Sequence, residues 1–527
     1  MRLESLLLAW RRRARPEAVI DRAYPAWARR KDAADLAYWR ARTSALRAKP
    51  KISVVMPVHN PPAAMLREAI ASVEAQLYAN WELCVVDDAS TAPHVADILQ
   101  QAAQRDHRID PLFQDEQTGI AGATNAGIGR ASGTFVAFMD HDDMLAPHAL
   151  AAFAAEIEKS ADLAMIFSDE DHLVHGRRAS PYFKPGWNPD LLLGQNMVCH
   201  LAVFSRTLLS ELGGVRYGYD GAQDYDLALR AADALGPRRI RHIPDILYHW
   251  RQTPESFSAR QAEKCQAAAR RALADHLFLG AGARRERGLP QWTQVEFPLP
   301  QTLPSVSLIL PNGATAPETA YAPTEILHGT PADMAPAAQG DILVFLGASL
   351  GAMSESWLHE LVRQVLRPDI GCAGGLLTGP RGQWVHTGFV LHPVSIVADI
   401  APPSDVDDPG YRGQFWLMRT VSAVSADCLA IRREVFLQAG GWNKDAGDFA
   451  AVDLCLRAAA RHLRTVWTPL ASLRYHRAKR AGISGAGWMR ARWGDRLAAD
   501  PYLNPNLTVR RGQLRLRAVT DLRKTAR

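Results

Sequence analysis

A pattern written twice constrains this chain more than any other feature of its sequence. Gly213-Gly214 through Asp226-Leu-Ala-Leu-Arg230 returns as Gly440-Gly441 through Asp453-Leu-Cys-Leu-Arg457, and Tyr248-His249 returns as Tyr475-His476, both displaced by about 227 residues. Further upstream, Ser53-Val-Val-Met-Pro57 is echoed by Ser307-Leu-Ile-Leu-Pro311, and Phe135-Val-Ala-Phe138 by Ile342-Leu-Val-Phe345. The offsets there shrink, so the second copy is shorter by about 47 residues in its front half. Two related domains are expected, split near Gly288 to Leu303, where Pro and Gln cluster. The chain then divides into a basic helical segment (1–50), a first domain (51–287), a degenerate second domain (304–480) and a basic tail (481–527).

The first copy alternates strands and helices. Ile52-Ser-Val-Val-Met-Pro57 is a β-branched run stopped by proline. Helical spacing follows at Met65, Leu66, Ile70, Val73 and Leu77. Trp81 to Val86 reads as a second strand ending in Asp87-Asp88-Ala-Ser90, and Thr134 to Met139 as another ending in Asp140-His-Asp142-Asp143. Such alternation implies an α/β fold on a mostly parallel sheet, and such sheets bind ligands beyond the carboxyl ends of their strands. Both acidic clusters fall there.

Four clusters can carry chemistry. Asp140-x-Asp142 places two carboxylates where both can face one divalent ion, with Mn²⁺ or Mg²⁺ suited to oxygen ligands and a diphosphate; a solvated acidic turn is the plainer reading. Asp88 and Ser90 can meet a base and ribose, or cap a helix. Asp224, in Gln223-Asp-Tyr-Asp226, falls at a helix start, where a carboxylate can take a proton from an attacking hydroxyl or simply cap the helix. His249 can complete a metal shell or touch a diphosphate, or be a satisfied structural residue.

The order of these pieces is more specific than any one of them. Ser53-Val-Val-Met-Pro-Val58, Val86-Asp-Asp-Ala-Ser90, Met139-Asp-His-Asp-Asp143, Ser168-Asp-Glu-Asp171, Phe183-Lys-Pro185, Gln223-Asp-Tyr-Asp226 and Tyr248-His-Trp-Arg251 follow one another in residues 52–260. This stretch resembles the family 2 glycosyltransferases, the inverting, metal-dependent GT-A group, and most closely rhamnosyltransferase-like members of surface-polysaccharide pathways. The resemblance implies a GT-A, Rossmann-like domain with a degenerate GT-A-like copy behind it. It implies a hexosyl- or rhamnosyltransferase that moves a sugar from a nucleotide-sugar donor to a glycan or lipid-linked glycan acceptor. Pro57, Val58 and His59 would line the base, with Asp88 touching it. Asp140 would sit by the ribose and metal, Asp142 would be the main metal ligand, and Asp224 the catalytic base. Gln223 stands where the family often has Glu. Met489-Arg-Ala-Arg-Trp493 lacks the Gln of the processive signature Gln-x-x-Arg-Trp, which implies single-sugar addition.

The second copy has Gly347 and Ser349 at the Asp140 and Asp142 positions, and Ala450-Ala451 at Gln223-Asp224. It is expected to be catalytically dead, and to bind acceptor glycan or serve as a scaffold. Trp384, Trp416, Trp442 and Trp467 can stack on sugars or fill the core. Asp500-Pro-Tyr-Leu-Asn-Pro-Asn506 is expected to pack back on the catalytic unit, and Leu514-Arg-Leu-Arg-Ala-Val519 alternates as an edge strand would.

Composition removes other classes. The six cysteines form no C-x-x-C pair, which suits buried free thiols in a reducing compartment and argues against zinc. No apolar run reaches the roughly 18 residues of a membrane span, and the charges of Arg11-Arg12-Arg13 follow Leu6–Trp10 instead of preceding it as in a signal peptide. A cytoplasmic protein is expected, its basic ends either resting on an anionic membrane face or simply solvated. Nucleic-acid binding lacks a motif, and a nucleotidyltransferase would need a glycine-rich basic loop where this chain has Val58-His-Asn-Pro-Pro62. A non-catalytic nucleotide-sugar or glycan-binding protein is the remaining alternative.

Overall fold

The computed structural model describes residues 16–252, 261–277, 283–285, 292–401, 408–477 and 482–525; Leu6–Trp10, Arg11–Arg13 and the start of the Gly288–Leu303 boundary lie outside the described residues. Contacts divide the chain into two units, one of residues 21–187, 196–280 and 517–527, the other of 1–20, 188–195 and 281–516. This cut differs from the one drawn on the sequence: most of the N-terminal helix Pro16–Arg42 belongs with the first unit, and 481–516 with the second. The reason is packing. Tyr24 is fully buried and donates its hydroxyl to Asp171 at 2.5 Å, while Trp27 donates its indole N–H to the Arg517 carbonyl. These aromatic side chains are part of the protein interior.

The first unit is built on β1 (Ile52–Val58), β2 (Trp81–Asp87), β3 (Ile109–Phe113), β4 (Phe135–Phe138), β5 (Met144–Leu145), β6 (Met165–Val174), β7 (Arg177–Tyr182), β8 (Ala202–Ser205) and β9 (Ile240–Gln252). Their order is β3-β2-β1-β4-β8-β6-β9-β5, with β7 beside β6. β1 is central and pairs in parallel with β2 and β4, so its continuous apolar run is buried on both faces. Helix Ala63–Glu74 covers it with Leu66, Ala69, Ile70 and Val73, the i, i+3, i+4, i+7 spacing of a core-facing stripe. Three strands depart from the parallel expectation: β5 runs antiparallel to β9, β7 antiparallel to β6, and β8 lies reversed inside the sheet. β8 runs antiparallel between β4 and β6, while β6 and β9 run parallel. An antiparallel strand brings its beginning to the edge where its neighbours end, so the residues just before Ala202 arrive at the carboxyl ends of β1, β2 and β4.

The second unit opens with the hairpin β10 (Ala283–Arg285) and β11 (Gln294–Glu296), followed by β12 (Val306–Leu310), β13 (Glu325–His328), β14 (Ile342–Leu346), β15 (Leu350–Ala352), β16 (Ile370–Thr378) and β17 (Trp384–His386). It continues through β18 (Phe389–His392), β19 (Ile396–Asp399), β20 (Arg419–Val421), β21 (Cys428–Arg432), β22 (Arg464–Tyr475) and the hairpin β23 (Leu507–Arg510)–β24 (Gln513–Leu516). Its main sheet has the order β13-β12-β14-β21-β16-β22-β15, with β17 beside β16. Position by position this is β2-β1-β4-β8-β6-β9-β5 with β7 beside β6, and every shared pair keeps its parallel or antiparallel sense. β3 has no counterpart, nor do the helices Pro93–Arg105 and Gly119–Arg130 that flank it: only the turn of helix Pro331–Met334 stands between β13 and β14. The helix Ala63–Glu74 has no counterpart between β12 and β13 either, and the missing front-half residues were in these two stretches.

Small details repeat too. The Ser53 hydroxyl donates to Glu82 and accepts from the Gly133 N–H, and the Ser307 hydroxyl donates to Glu325 and accepts from the Gly340 N–H. A Cβ at Gly133 would lie 2.7 Å from the Ser53 oxygen, and one at Gly340 2.6 Å from that of Ser307, so glycine is required at both. Trp384 and Trp467 are buried, while Trp416 and Trp442 are half-buried. The Asp500–Asn506 segment packs on the second unit, not on the first: the Asp500 carboxylate accepts the Leu391 N–H at 2.6 Å, and Asn504 and Asn506 are buried.

Candidate active site

The carboxyl ends of β1 and β2 are latched together. Asp88 donates its N–H to the Val58 carbonyl, His59 Nδ1 lies 2.8 Å from the Asp88 carbonyl, and the Asn60 N–H donates to the Ser90 hydroxyl at 2.9 Å. Asp88 is buried, and both of its oxygens are engaged: one accepts the N–H and hydroxyl of Thr118, the other the Gly119 N–H. It therefore caps the helix Gly119–Arg130. Pro57, Val58, His59, Asp88 and Ser90 come together as expected, with Val58 buried and Pro57, His59 and Ser90 half-buried. His141 Nδ1, 3.2 Å from the Pro57 carbonyl, ties the acidic turn after β4 to the same latch.

In that turn the carboxylates divide by role. Asp143 is fully buried, accepting the Tyr248 hydroxyl at 2.6 Å and the Arg251 N–H at 2.7 Å. Asp140 is deep in the cleft yet open at its mouth, with 41% of its side chain exposed; its N–H donates to the Tyr248 oxygen. Loss of water raises the pKa of both, and the neighbouring negative charges of the turn add to the rise, while His200 works against it at Asp140. Asp142 is half-buried, its carbonyl taking the Arg251 guanidinium.

His200 is the residue that the sequence reading missed. It precedes antiparallel β8 and arrives at this edge, with Nε2 3.8 Å from an Asp140 oxygen and its ring stacked on Tyr248 at 4.5 Å. Ligand atoms of Asp140, Asp143 and His200 lie within 4.8 Å of one another, as do those of Cys199, His200 and Asp224. His200 therefore links the Asp-x-Asp turn to Asp224. A signal was present in Asn196-Met-Val-Cys-His200, but without the reversal of β8 nothing placed it. Asp224 is aimed by two donors, Asn196 Nδ2 at 2.7 Å and the Tyr225 N–H at 2.8 Å, at the start of helix Gln223–Ala234.

His249 is placed differently from the expected metal ligand. It belongs to neither group of ligand atoms, and its Nδ1 lies 2.6 Å from Asp171, which also accepts from Tyr24 and Arg178. Asp142, the expected main metal ligand, is likewise in neither group, although its charge reaches Asp140, and Asp143 stands in the group in its place. The carboxylate and imidazole donors of this turn fit a hard or borderline divalent ion such as Mn²⁺ or Mg²⁺. Among the described residues no helix is long and apolar enough to cross a membrane.

Residues 53–213 match the family model described as Glycosyl transferase family 2. The chain is 34% identical over 528 residues to an uncharacterised protein, y4gI, of Sinorhizobium fredii, covering 88% of this chain and 58% of that one. It is 35% identical over 561 residues to the O-antigen biosynthesis protein RfbC of Myxococcus xanthus, covering 94% of this chain and 43% of that one. The chain thus spans about half the length of these curated relatives. Among solved structures, S. aureus TarS 1–349 in complex with UDP-GlcNAc is 20% identical over 42% of this chain and 65% of that one, with a TM-score of 0.36. The latch and the acidic turn both fall within residues 53–213, so the first unit carries a domain of glycosyl transferase family 2.

Proposed function

We propose that the chain transfers a single sugar, with inversion, from a nucleotide-sugar donor to a glycan or lipid-linked glycan acceptor in cell-surface polysaccharide synthesis. The observation that carries this reading is the convergence of Asp140, His200 and Asp224 at one sheet edge in a family 2 domain. The relatedness to an O-antigen biosynthesis protein supports the polysaccharide context. In this reading Pro57, Val58, His59, Asp88 and Ser90 form the nucleotide side of the cleft. Asp140, Asp142 and His200 would hold Mn²⁺ or Mg²⁺, which supplies charge neutralisation for the departing nucleoside diphosphate. Asp224 accepts the proton of the acceptor hydroxyl at a carboxylate oxygen as that hydroxyl attacks the anomeric carbon. Asn196 and the Tyr225 N–H fix the direction of that carboxylate, which keeps the base within reach of one face of the sugar.

The test uses the full chain, a panel of uridine, thymidine and guanosine diphosphate sugars, and Mn²⁺. One nucleotide class should raise the melting temperature in a metal-dependent way. Asp224→Asn should keep that shift and lose transfer. Near-normal turnover in Asp224→Asn would remove it from the base role. Donor binding without transfer in the wild-type chain, across a panel of acceptors, would favour a non-catalytic binding protein.

A further inference from the structure

We propose that the second unit carries a binding site for an anionic saccharide, one bearing a carboxylate or a phosphate, in the cavity walled by Gly351, Met353, Pro380, Arg474, Tyr475 and His476. The cavity measures about 550 Å³, within the range of small-ligand sites. It lies where β15 meets β22, which in the strand order of this sheet is the place that β5 and β9 hold in the first unit.

No acidic residue lines the cavity, and the turn that leads to it has none either. The first unit's turn carries Asp140, Asp142 and Asp143, whereas the turn between β14 and β15 is Gly347-Ala348-Ser349. Asp427, next to that turn, is buried and takes the Tyr475 hydroxyl. What faces the opening is Arg474 and His476, both exposed, and neither side chain makes a hydrogen bond or ion pair with other described residues. The cavity therefore presents donors to an anion directly.

The geometry keeps those donors free. Arg474 pairs across the sheet with Gly351 on one side and Thr378 on the other, so no large side chain covers its guanidinium. A Cβ at Gly351 would lie 2.7 Å from His476 Nε2, so the imidazole sits with its Nε2 edge over the glycine and would have to shift over any larger residue. Guanidinium groups match carboxylate and phosphate in a two-pronged fashion. Met353, 37% exposed, and Pro380 offer the apolar wall that the C–H face of a pyranose requires. The inference is independent of the catalytic reading, because binding here needs neither donor nor turnover.

The experiment measures binding to the full chain by titration calorimetry, with a glucuronate-containing tetrasaccharide, glucose 1-phosphate, inorganic phosphate and neutral maltotetraose as probes, and UDP with Mn²⁺ as the control for the first unit. The expected result is binding of the tetrasaccharide or of glucose 1-phosphate, not of maltotetraose, and at least tenfold weaker binding in Arg474→Ala and in His476→Ala. UDP binding should stay unchanged in both variants. Which anionic sugar binds distinguishes a uronate from a phosphosugar, and binding of inorganic phosphate as strong as that of glucose 1-phosphate would mean that the sugar is not recognised and would overturn the proposal. No binding of either anionic sugar by the wild-type chain, equal binding of maltotetraose, or unchanged affinity in both folded variants would also overturn it. Gly351→Val, which displaces His476, gives a second route to the same loss if Arg474→Ala does not fold.

Discussion

His200 stands beside Asp140, its Nε2 3.8 Å from a carboxylate oxygen, and its backbone is held from both sides by a buried ion pair. Glu170 accepts the His200 N–H at 2.9 Å, and Lys184 donates to the His200 carbonyl at 2.7 Å, to the Val198 carbonyl and to Glu170. An imidazole fixed next to a carboxylate offers two ligand atoms to one divalent ion. His200→Gln should weaken Mn²⁺ binding by about tenfold or more, read by electron paramagnetic resonance of the free ion and not by turnover. His249→Gln should move Mn²⁺ affinity far less, since its ring is held by Asp171. The reverse ranking would return the metal role to His249.

The pair that holds His200 is costly to break. Lys184 is fully buried, and burial raises the carboxyl pKa of Glu170 less than the Lys184 ammonium and the His200 contact lower it, so Glu170 titrates below its ordinary range. Lys184→Met leaves that charge alone in the interior and should cost about 3–5 kcal/mol in unfolding free energy. Lys184→Met with Glu170→Leu should recover part of the loss in stability but not the Mn²⁺ affinity, because the His200 loop is still unclamped. Chemical denaturation beside Mn²⁺ titration separates the two effects.

These two residues also mark how far the sequence was legible. The β1 run Ile52 to Met56 and the Asp-rich ends of β2 and β4 announce themselves, because a parallel strand buried on both faces must be apolar and its carboxyl end must be polar where ligand binds. Asp224 was visible for a similar reason: Leu227, Ala228 and Ala231, buried at i, i+1 and i+4, set the helix phase behind it. His200 was not. Its place depends on β8 running backwards between β4 and β6, a pairing between segments separated by some 30 to 70 residues that no local period encodes. Asp88 shows the opposite case, in which a motif residue is in place but its oxygens are spent on Thr118 and Gly119. The repeat in the sequence pointed to the second sheet, and the shared strand order supports that reading, yet the open setting of Arg474 and His476 comes from their cross-strand neighbour Gly351, which no sequence period announces.

His148 gives the first unit an acid-sensitive point away from the cleft. It is 4% exposed, and its Nε2 has no hydrogen-bond partner among the described residues. Burial pushes its pKa down to about 4, with the nearby Asp245 carboxylate pulling the other way. Below about pH 6.5 the unfolded chain takes up a proton that the folded chain refuses until about pH 4. The stability conferred by a neutral His148 is therefore present above pH 6.5 and lost as the pH falls to 4. Relative to His148→Leu, the wild-type chain should lose about 3 kcal/mol between pH 7 and pH 4, measured as the difference between their unfolding free energies. Parallel curves would mean that His148 titrates normally.

The second unit should resist conversion into a metal site by a single substitution. The β4–β8 register pairs Val136 with Phe204, and the β14–β21 register pairs Leu343 with Ile431, so counting back along β8 and β21 sets Asp427 at the position of His200. The second copy thus has a carboxylate where the first has an imidazole, and glycine where the first has Asp140. A Cβ at Gly347 would lie 2.6 Å from the Asp427 carboxyl group. Gly347→Asp forces a side chain into filled space and sets two carboxylates against each other, so it should lower the stability of the second unit by about 1–3 kcal/mol or more and gain no Mn²⁺ binding. Gly347→Asp with Asp427→His removes the repulsion and should regain stability relative to the single variant, though the shorter turn still lacks the residues that Asp142 and Asp143 provide. Measurable Mn²⁺ binding by Gly347→Asp alone, in a chain whose first site is disabled by Asp140→Asn, would show that the turn can open and that the lost carboxylates, not the filled space around Asp427, are what silenced this copy.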